Sequence, residues 1–232
     1  MSDDTAPAVP AATVVLLRDT PNGIETLMLR RDTDLAFAGG AWVFPGGRVD
    51  PEDYPGVGGP DDADAAFEAA RNAAAREAME EAGLVVDPDE LVWFAHWTPP
   101  TGSAPTRRFA TWFFAARAPG GTVVVDDGEI REHLWIRPHD ALRRRDEGEI
   151  LIIPPTWVTL HTLADASSVD DVLHVMRAAD PAVYVTRMGR VDGVMVSMWT
   201  GDSGYEDGDA EKPGPRHRLV MDTTAWRLER KG

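Results

Sequence analysis

Short apolar runs rich in β-branched residues open the chain, and helical spacing replaces them twice further on. Ala12–Arg18 and Ile24–Arg31 read as strands, separated by Pro21-Asn22-Gly23, whose Asn-Gly pair is a strong hairpin signal. Residues 32–40 read as a loop ending in Gly39-Gly40, with a strand at Trp42–Phe44 behind it. Asp62–Ala82 is Ala-rich with an acidic start, the pattern of a long helix. Leu91–Trp97 and Arg108–Ala116 read as strands on either side of a Pro/Gly loop at 98–105, and Thr122–Val125 as a short further strand. Ile130–Ile136 predicts another strand, with a helix at Pro138–Arg145.

Pro154-Pro155 changes the pattern. Trp157, Leu160, Leu163, Val172, Leu173, Val175 and Met176 give residues 156–179 a helical period. After Pro181 come β-like runs at Val183–Arg187, Val194–Trp199, Arg218–Asp222 and Thr224–Glu229. Gly201–Pro215, polar and acidic, reads as a solvent loop. The late runs could extend the sheet, cap a cleft or make a dimer contact, and the pattern does not choose. The division expected is a mobile Pro/Ala tail at 1–10, a core at 11–153, and a helical and β extension of the same domain at 154–232.

Composition narrows the function classes. A chain of 232 residues with 43% hydrophobic content suits one ordinary globular domain. The net charge of −16 argues against generic binding to nucleic acid or anionic membrane, and means that an anionic substrate needs metal ions or local arginines to approach. Without cysteine there is no disulfide framework and no thiolate chemistry. The acidic Met1-Ser2-Asp3-Asp4 does not look secretory, and no apolar run is long enough to span a bilayer, so a soluble cytoplasmic protein is expected. His96, His133, His139, His161, His174 and His217 show no metal-ligand spacing and read as structural or exposed.

Chemistry concentrates in residues 76–84, Arg-Glu-Ala-Met-Glu-Glu-Ala-Gly-Leu, downstream of Val-Phe-Pro-Gly-Gly at 43–47. On a helix, Glu77, Glu80 and Glu81 fall within roughly a 100° arc of one face. Gly83 is the natural stop, so the three carboxylates crowd the last turns, where the macrodipole is already negative. Glu77 and Glu81 add a like-charge i,i+4 pair costing a few tenths of a kcal/mol, on the order of 0.2–0.5. The plain alternative is a solvated acidic face softened by the Arg76–Glu80 pair. A bound divalent cation would compensate the whole cluster.

These segments resemble the box of the Nudix hydrolase family, G-x5-E-x7-R-E-U-x-E-E-x-G-U with U apolar. Arg76, Glu77, Ala78, Glu80, Glu81, Gly83 and Leu84 fit its second half without a gap. Glu68, eight positions before Arg76, fits the first acid, whereas a count forward from Gly47 puts Asp53 there. Gly47 stands 29 positions before Arg76 instead of 14, so about 15 residues are inserted, with 54–62 as the candidate stretch of box 47–84. The resemblance covers roughly the first two-thirds of the chain and implies an α/β/α sandwich around a mixed β-sheet. It implies Mg2+ or Mn2+ held by Glu77, Glu80, Glu81 and the Gly46 carbonyl, with Arg76 bracing the carboxylates and Gly47, Glu68 and Gly83 supporting the box. Relatives often use one more acid before a strand that ends in tryptophan. Glu129, six positions before Trp135, is the candidate base or extra ligand and Glu132 the second choice, so Arg76, Glu80 and Glu129 form the expected catalytic set.

The substrate implied is a nucleoside diphosphate linked to another moiety, reached without nucleic-acid or membrane partners. Residues 27–47, the run 105–114 and Pro154-Pro155-Thr156 resemble the branch that cleaves coenzyme A and its thioesters, with Asp32 where serine or threonine is usual. Arg31, Arg107 and Arg108 are the candidate phosphate binders, and Trp42, Trp97 or Phe113 could stack on adenine or line the acyl channel. ADP-ribose, dinucleotide or nucleotide-sugar cleavage is the alternative within enzymes, and a nucleotide-binding sensor the alternative outside them. Many relatives dimerise, so a homodimer stays open.

Overall fold

The computed structural model describes residues 8–34, 38–101, 108–125 and 128–231. Arg107 and most of the 1–10 tail lie outside them. The chain forms two compact units, one holding Pro10–Ala95 and Thr111–Ala182, the other His96–Ala110 and Val183–Gly232. Among the described residues no helix is long and apolar enough to cross a membrane.

The first unit is a mixed sheet packed with helices. Its strands are β1 (Val9–Thr20), β2 (Gly23–Arg31), β3 (Trp42–Val43), β4 (Gly46–Arg48), β5 (Val92–Thr98, of which Val92–Ala95 lie in this unit), β6 (Phe109–Arg117, of which Thr111–Arg117 lie in this unit) and β7 (Ile130–Ile136). Its helices are α1 (Ala63–Ala82), α2 (Pro138–Asp146), α3 (Pro154–Leu163) and α4 (Val169–Ala178). The order is β3-β2-β1-β6-β5, with β4 also on β1 and β7 also on β2. β1 and β2 make the hairpin foreseen at Asn22-Gly23. β6 runs parallel to β1, since Val9 N–H donates to the Arg108 carbonyl and Ala118 N–H to the Leu17 carbonyl, each at 2.7 Å.

The helix α1 faces the core with alanines. Ala70, Ala73, Ala74, Ala78 and Ala82 pack with Val14, Leu16, Leu27, Leu29 and Phe114. Such small side chains let the helix axis approach closely, which fixes where its acidic face emerges. Asp62 caps the start by accepting from Asp64 N–H and Ala65 N–H at 3.0 and 3.2 Å. Gly83, at φ 67°, ends the helix in the left-handed region.

Three expectations change. Thr122–Val125 is not a strand, because Val124 gives its N–H to the Ala82 carbonyl at the end of α1 (2.9 Å). The helical stretch 156–179 splits in two: α3 begins at Pro154, a residue suited to a first turn, and Ser168 caps α4 through Asp171 N–H. Gly201–Pro215 is not solvated throughout, since Asp202 and Ala210 are buried.

In the second unit β8 (Ala182–Val185) pairs with the His96–Thr98 end of β5, which belongs to the same unit. The strands β9 (Arg187–Val191), β10 (Val194–Met198), β11 (Arg216–Met221) and β12 (Trp226–Lys231) form an antiparallel sheet of their own, ordered β12-β11-β10-β9. Trp97 stacks on Tyr184 at 3.9 Å, with Trp199 edge-on to both. Asp202 accepts from Arg218 Nε and Nη2 at 2.7 and 2.5 Å, both side chains being buried. This fork ties the 201–215 loop to β11.

Candidate active site

Two glycines let a turn and a helix touch. Gly46 and Gly47 pair with Thr13 and Ala12 of β1, and the Pro45 carbonyl accepts from Thr13 Oγ1 at 2.6 Å and Val14 N–H at 2.9 Å. A Cβ on Gly46 would stand 2.5 Å from the Ala12 carbonyl oxygen and 2.6 Å from Thr13 Cβ. A Cβ on Gly47 would stand 2.5 Å from the carboxyl carbon of Glu77. Gly46 therefore has to lack a side chain because backbone stands in the way, whereas at Gly47 only the far end of the Glu77 side chain would have to move. Across the gap, Gly46 N–H donates to Glu81 Oε2 at 2.9 Å, so the contact seen from Gly46 is its N–H.

Arg76 ties the box together. Its Nε and Nη2 reach Asp53 Oδ1 and Oδ2 at 3.0 and 2.9 Å, and Nη2 also donates to the Arg48 carbonyl at 3.0 Å. Its Nη1 bridges Glu77 Oε1 at 2.8 Å and Glu80 Oε2 at 3.0 Å. Asp53 sits in a 3-10 turn, Pro51–Asp53, where its Oδ2 accepts from Asp50 N–H at 2.8 Å; Asn72 Nδ2 donates to its carbonyl at 2.8 Å. Glu68 instead pairs with Arg71, at 3.1 and 3.2 Å. The acid brought to Arg76 is thus Asp53, and the inserted residues fall between Asp53 and α1. Counting from Gly47 pointed to Asp53; counting back from Arg76 did not, because it assumed an uninterrupted spacing.

The carboxylates differ sharply in environment. Glu81 is buried, and that burial pushes its carboxyl up to about 8. The Gly46 N–H and Arg31 lower it, while Glu77 and Glu129 raise it. Glu77 is also raised, first by burial, against the hydrogen bond from Arg76. Glu80 is over half exposed, at 57% of its side chain. Among the described residues no three His, Cys, Asp or Glu side chains converge as a ready ion cage; the guanidinium of Arg76 lies between Glu77 and Glu80. The donor set still fits a hard divalent cation: three carboxylates from adjacent turns of one helix, one of them buried with its charge under-compensated.

The remaining candidates separate. Arg31 Nη2 pairs with Glu129 Oε2 at 3.2 Å, and its buried Nε has no hydrogen-bond partner among the described residues. Glu132 pairs with Arg30 at 2.5 Å. Trp42, 8% exposed, is buried where β3 pairs with β2, so its ring offers no stacking surface, a correction to its expected role. Arg108 belongs to the second unit, donates to the Pro99 carbonyl at 3.4 Å, and lines a cavity of about 580 Å³ with Arg187 and Tyr205.

Comparison with known proteins now decides the family, because the NUDIX domain model matches residues 7–154. The chain belongs to the Nudix family. It is a hydrolase acting on phosphoanhydride bonds, in a family whose members are generally divalent-metal-dependent pyrophosphatases of nucleoside diphosphate derivatives. Its fold is similar to the NUDIX hydrolase of Alicyclobacillus acidocaldarius, with a TM-score of 0.61 at 24% identity over 73% of this chain and 97% of that one. It is also similar to the NUDIX domain of Shewanella oneidensis NrtR, solved with ADP ribose, with a TM-score of 0.50 at 13% identity over 67% of this chain and 86% of that one. No curated protein matches the chain. The sheet β9–β12 is an addition beyond the matched Nudix region.

Proposed function

We propose that this Nudix hydrolase cleaves coenzyme A or acyl-CoA to 3′,5′-ADP and the corresponding phosphopantetheine. The observation that carries the hydrolytic half is the buried Glu81 carboxylate, held by Gly46 N–H and within reach of the charges of Glu77 and Glu129. Glu77, Glu80 and Glu81 would hold Mg2+ or Mn2+. Such an ion would supply charge neutralisation for the diphosphate and activation of the attacking water.

The side chains around that centre have separate tasks. Arg76 restrains Glu77 and Glu80 from one side, so their oxygens stay on one helix face. Arg31, whose Nη2 lies at Glu129, binds a phosphate oxygen of the substrate through the outer end of its guanidinium. Glu129 accepts the proton of the attacking water at its carboxylate. Support for the coenzyme A branch comes from the segment 27–47 and from Pro154-Pro155-Thr156, which opens α3.

Mass spectrometry of products tests the reading, with coenzyme A, acyl-CoAs, ADP-ribose and NADH offered with and without Mn2+. Release of 3′,5′-ADP is expected. AMP as the preferred product assigns the enzyme to ADP-ribose, dinucleotide or nucleotide-sugar cleavage. Tight binding without turnover of any member assigns it to sensing.

A further inference from the structure

The strand β7 carries one extra residue against β2. From Thr26↔Ile136 to Arg30↔Glu132 the register is regular, and then Arg31 faces Ile130, so Arg131 bulges out of the ladder. A bulge of this kind re-aims the side chains beside it. Here the bulged Arg131 turns to Asp32, and both its Nε and Nη2 lie against Asp32 Oδ2. Asp32 is buried and its other oxygen, Oδ1, accepts from Asp34 N–H at 2.9 Å. Its own N–H donates to the Glu129 carbonyl at 2.8 Å.

Two anchors therefore hold Glu129, the residue before β7, and a third holds the bulge itself. Glu129 is held by its carbonyl through Asp32 N–H and by its carboxylate through Arg31, while Asp32 grips Arg131 two residues further on. We propose that Asp32 and Arg131 are positioning residues, an ionic clip that locks the β7 bulge and so directs the Glu129 carboxylate at Glu77, Glu81 and the scissile diphosphate. The clip rests on the reading of Glu129 as the base. A regular β7 would move every residue beyond the bulge to the opposite face of the strand, carrying Glu129 away from the acids.

The test compares D32A, R131A, D32A/R131A and E129Q with the native protein. Turnover is followed with Mn2+ on coenzyme A and ADP-ribose in parallel, and folding by thermal melting. D32N, which keeps the shape of Asp32, covers the case in which D32A does not fold, and Arg131 is half exposed, so R131A folds. The expected result is a fall in kcat of about tenfold or more in each single variant with KM within about threefold, the signature of a misplaced reacting group. The double variant then loses no more than the worse single one, because the two side chains act as a pair.

Turnover within about twofold of native for D32A (or D32N) and R131A, beside an E129Q that loses about 100-fold, overturns the clip and leaves Glu129 in place. Single losses that multiply in the double variant also overturn it. Full turnover by E129Q, or no turnover of either substrate by the native protein, removes the reading of Glu129 and the clip together.

Discussion

Arg76 grips Asp53 through two parallel hydrogen bonds, Nε to Oδ1 at 3.0 Å and Nη2 to Oδ2 at 2.9 Å, across an inserted stretch of sequence. Asp53 is 5% exposed, so the pair is largely shielded from water. Removing Asp53 leaves a partly buried guanidinium short of one partner, although Glu77 and Glu80 remain. D53A is expected to cost about 2 kcal/mol of stability, against less than about 0.5 for E68A. The midpoints of urea unfolding compare the two directly.

The two glycines of the turn should respond differently to a methyl group. G46A forces a Cβ into the backbone of Ala12 and Thr13, which cannot yield without moving β1. G47A meets only the far end of the flexible Glu77 side chain. G46A is therefore expected to lower the melting temperature by several degrees, on the order of 1–3 kcal/mol of overpacking. G47A is expected to melt near the native temperature and to bind Mn2+ more weakly, as titration calorimetry would show.

Glu81 separates stability from catalysis. Burial pushes its carboxyl up to about 8, so ionising it inside the fold is costly, and glutamine keeps the acceptor for Gly46 N–H without an ionisable group. Metal-free E81Q is expected to be at least as stable as the native protein and to lose about 100-fold or more in kcat. Denaturant titration in the presence of a chelator, beside turnover with Mn2+, checks both halves.

Asp202, in the second unit, makes part of the stability acid-sensitive. Burial raises the Asp202 carboxyl, but the Arg218 fork and the N–H groups of His217 and Gly204 more than offset it and hold the group at about 2, below the ordinary 3.8. Because the folded value is depressed, this carboxylate stabilises the fold fully above about pH 4. That contribution is lost as the pH falls from 3.8 towards 2. The shift corresponds to about 2 kcal/mol. D202N is expected to lose that much at neutral pH and to show a shallower fall in stability between pH 4 and 2, read from urea unfolding at each pH.

Much of the first unit was legible because its signals are local. Asn22-Gly23 announced the hairpin, the Ala-rich run with its acidic start announced α1, and Gly83 announced its end. The glutamates of 77–81 were legible for the same reason, since helix geometry alone brings them to one face. What was not legible depends on partners distant in sequence. Thr122–Val125 has the composition of a strand, but its N–H is claimed by a helix end some forty residues earlier. Trp42 looked like a binding surface because nothing near it in the chain reveals that it is buried. The roles of Asp32 and Arg131 were invisible because a bulge is a mismatch between two strands, and neither strand shows it alone.

Because Asp53 is pinned to Arg76 at one end and Asp62 caps α1 at the other, the stretch between them is a closed excursion whose two feet stand on fixed ground. Each doubling of such a loop costs only about 0.6 kcal/mol of closure entropy. Evolution is thus at liberty to vary its size and composition without disturbing the carboxylates, and a protein engineer could graft a recognition peptide or a fluorescent tag there with the same freedom.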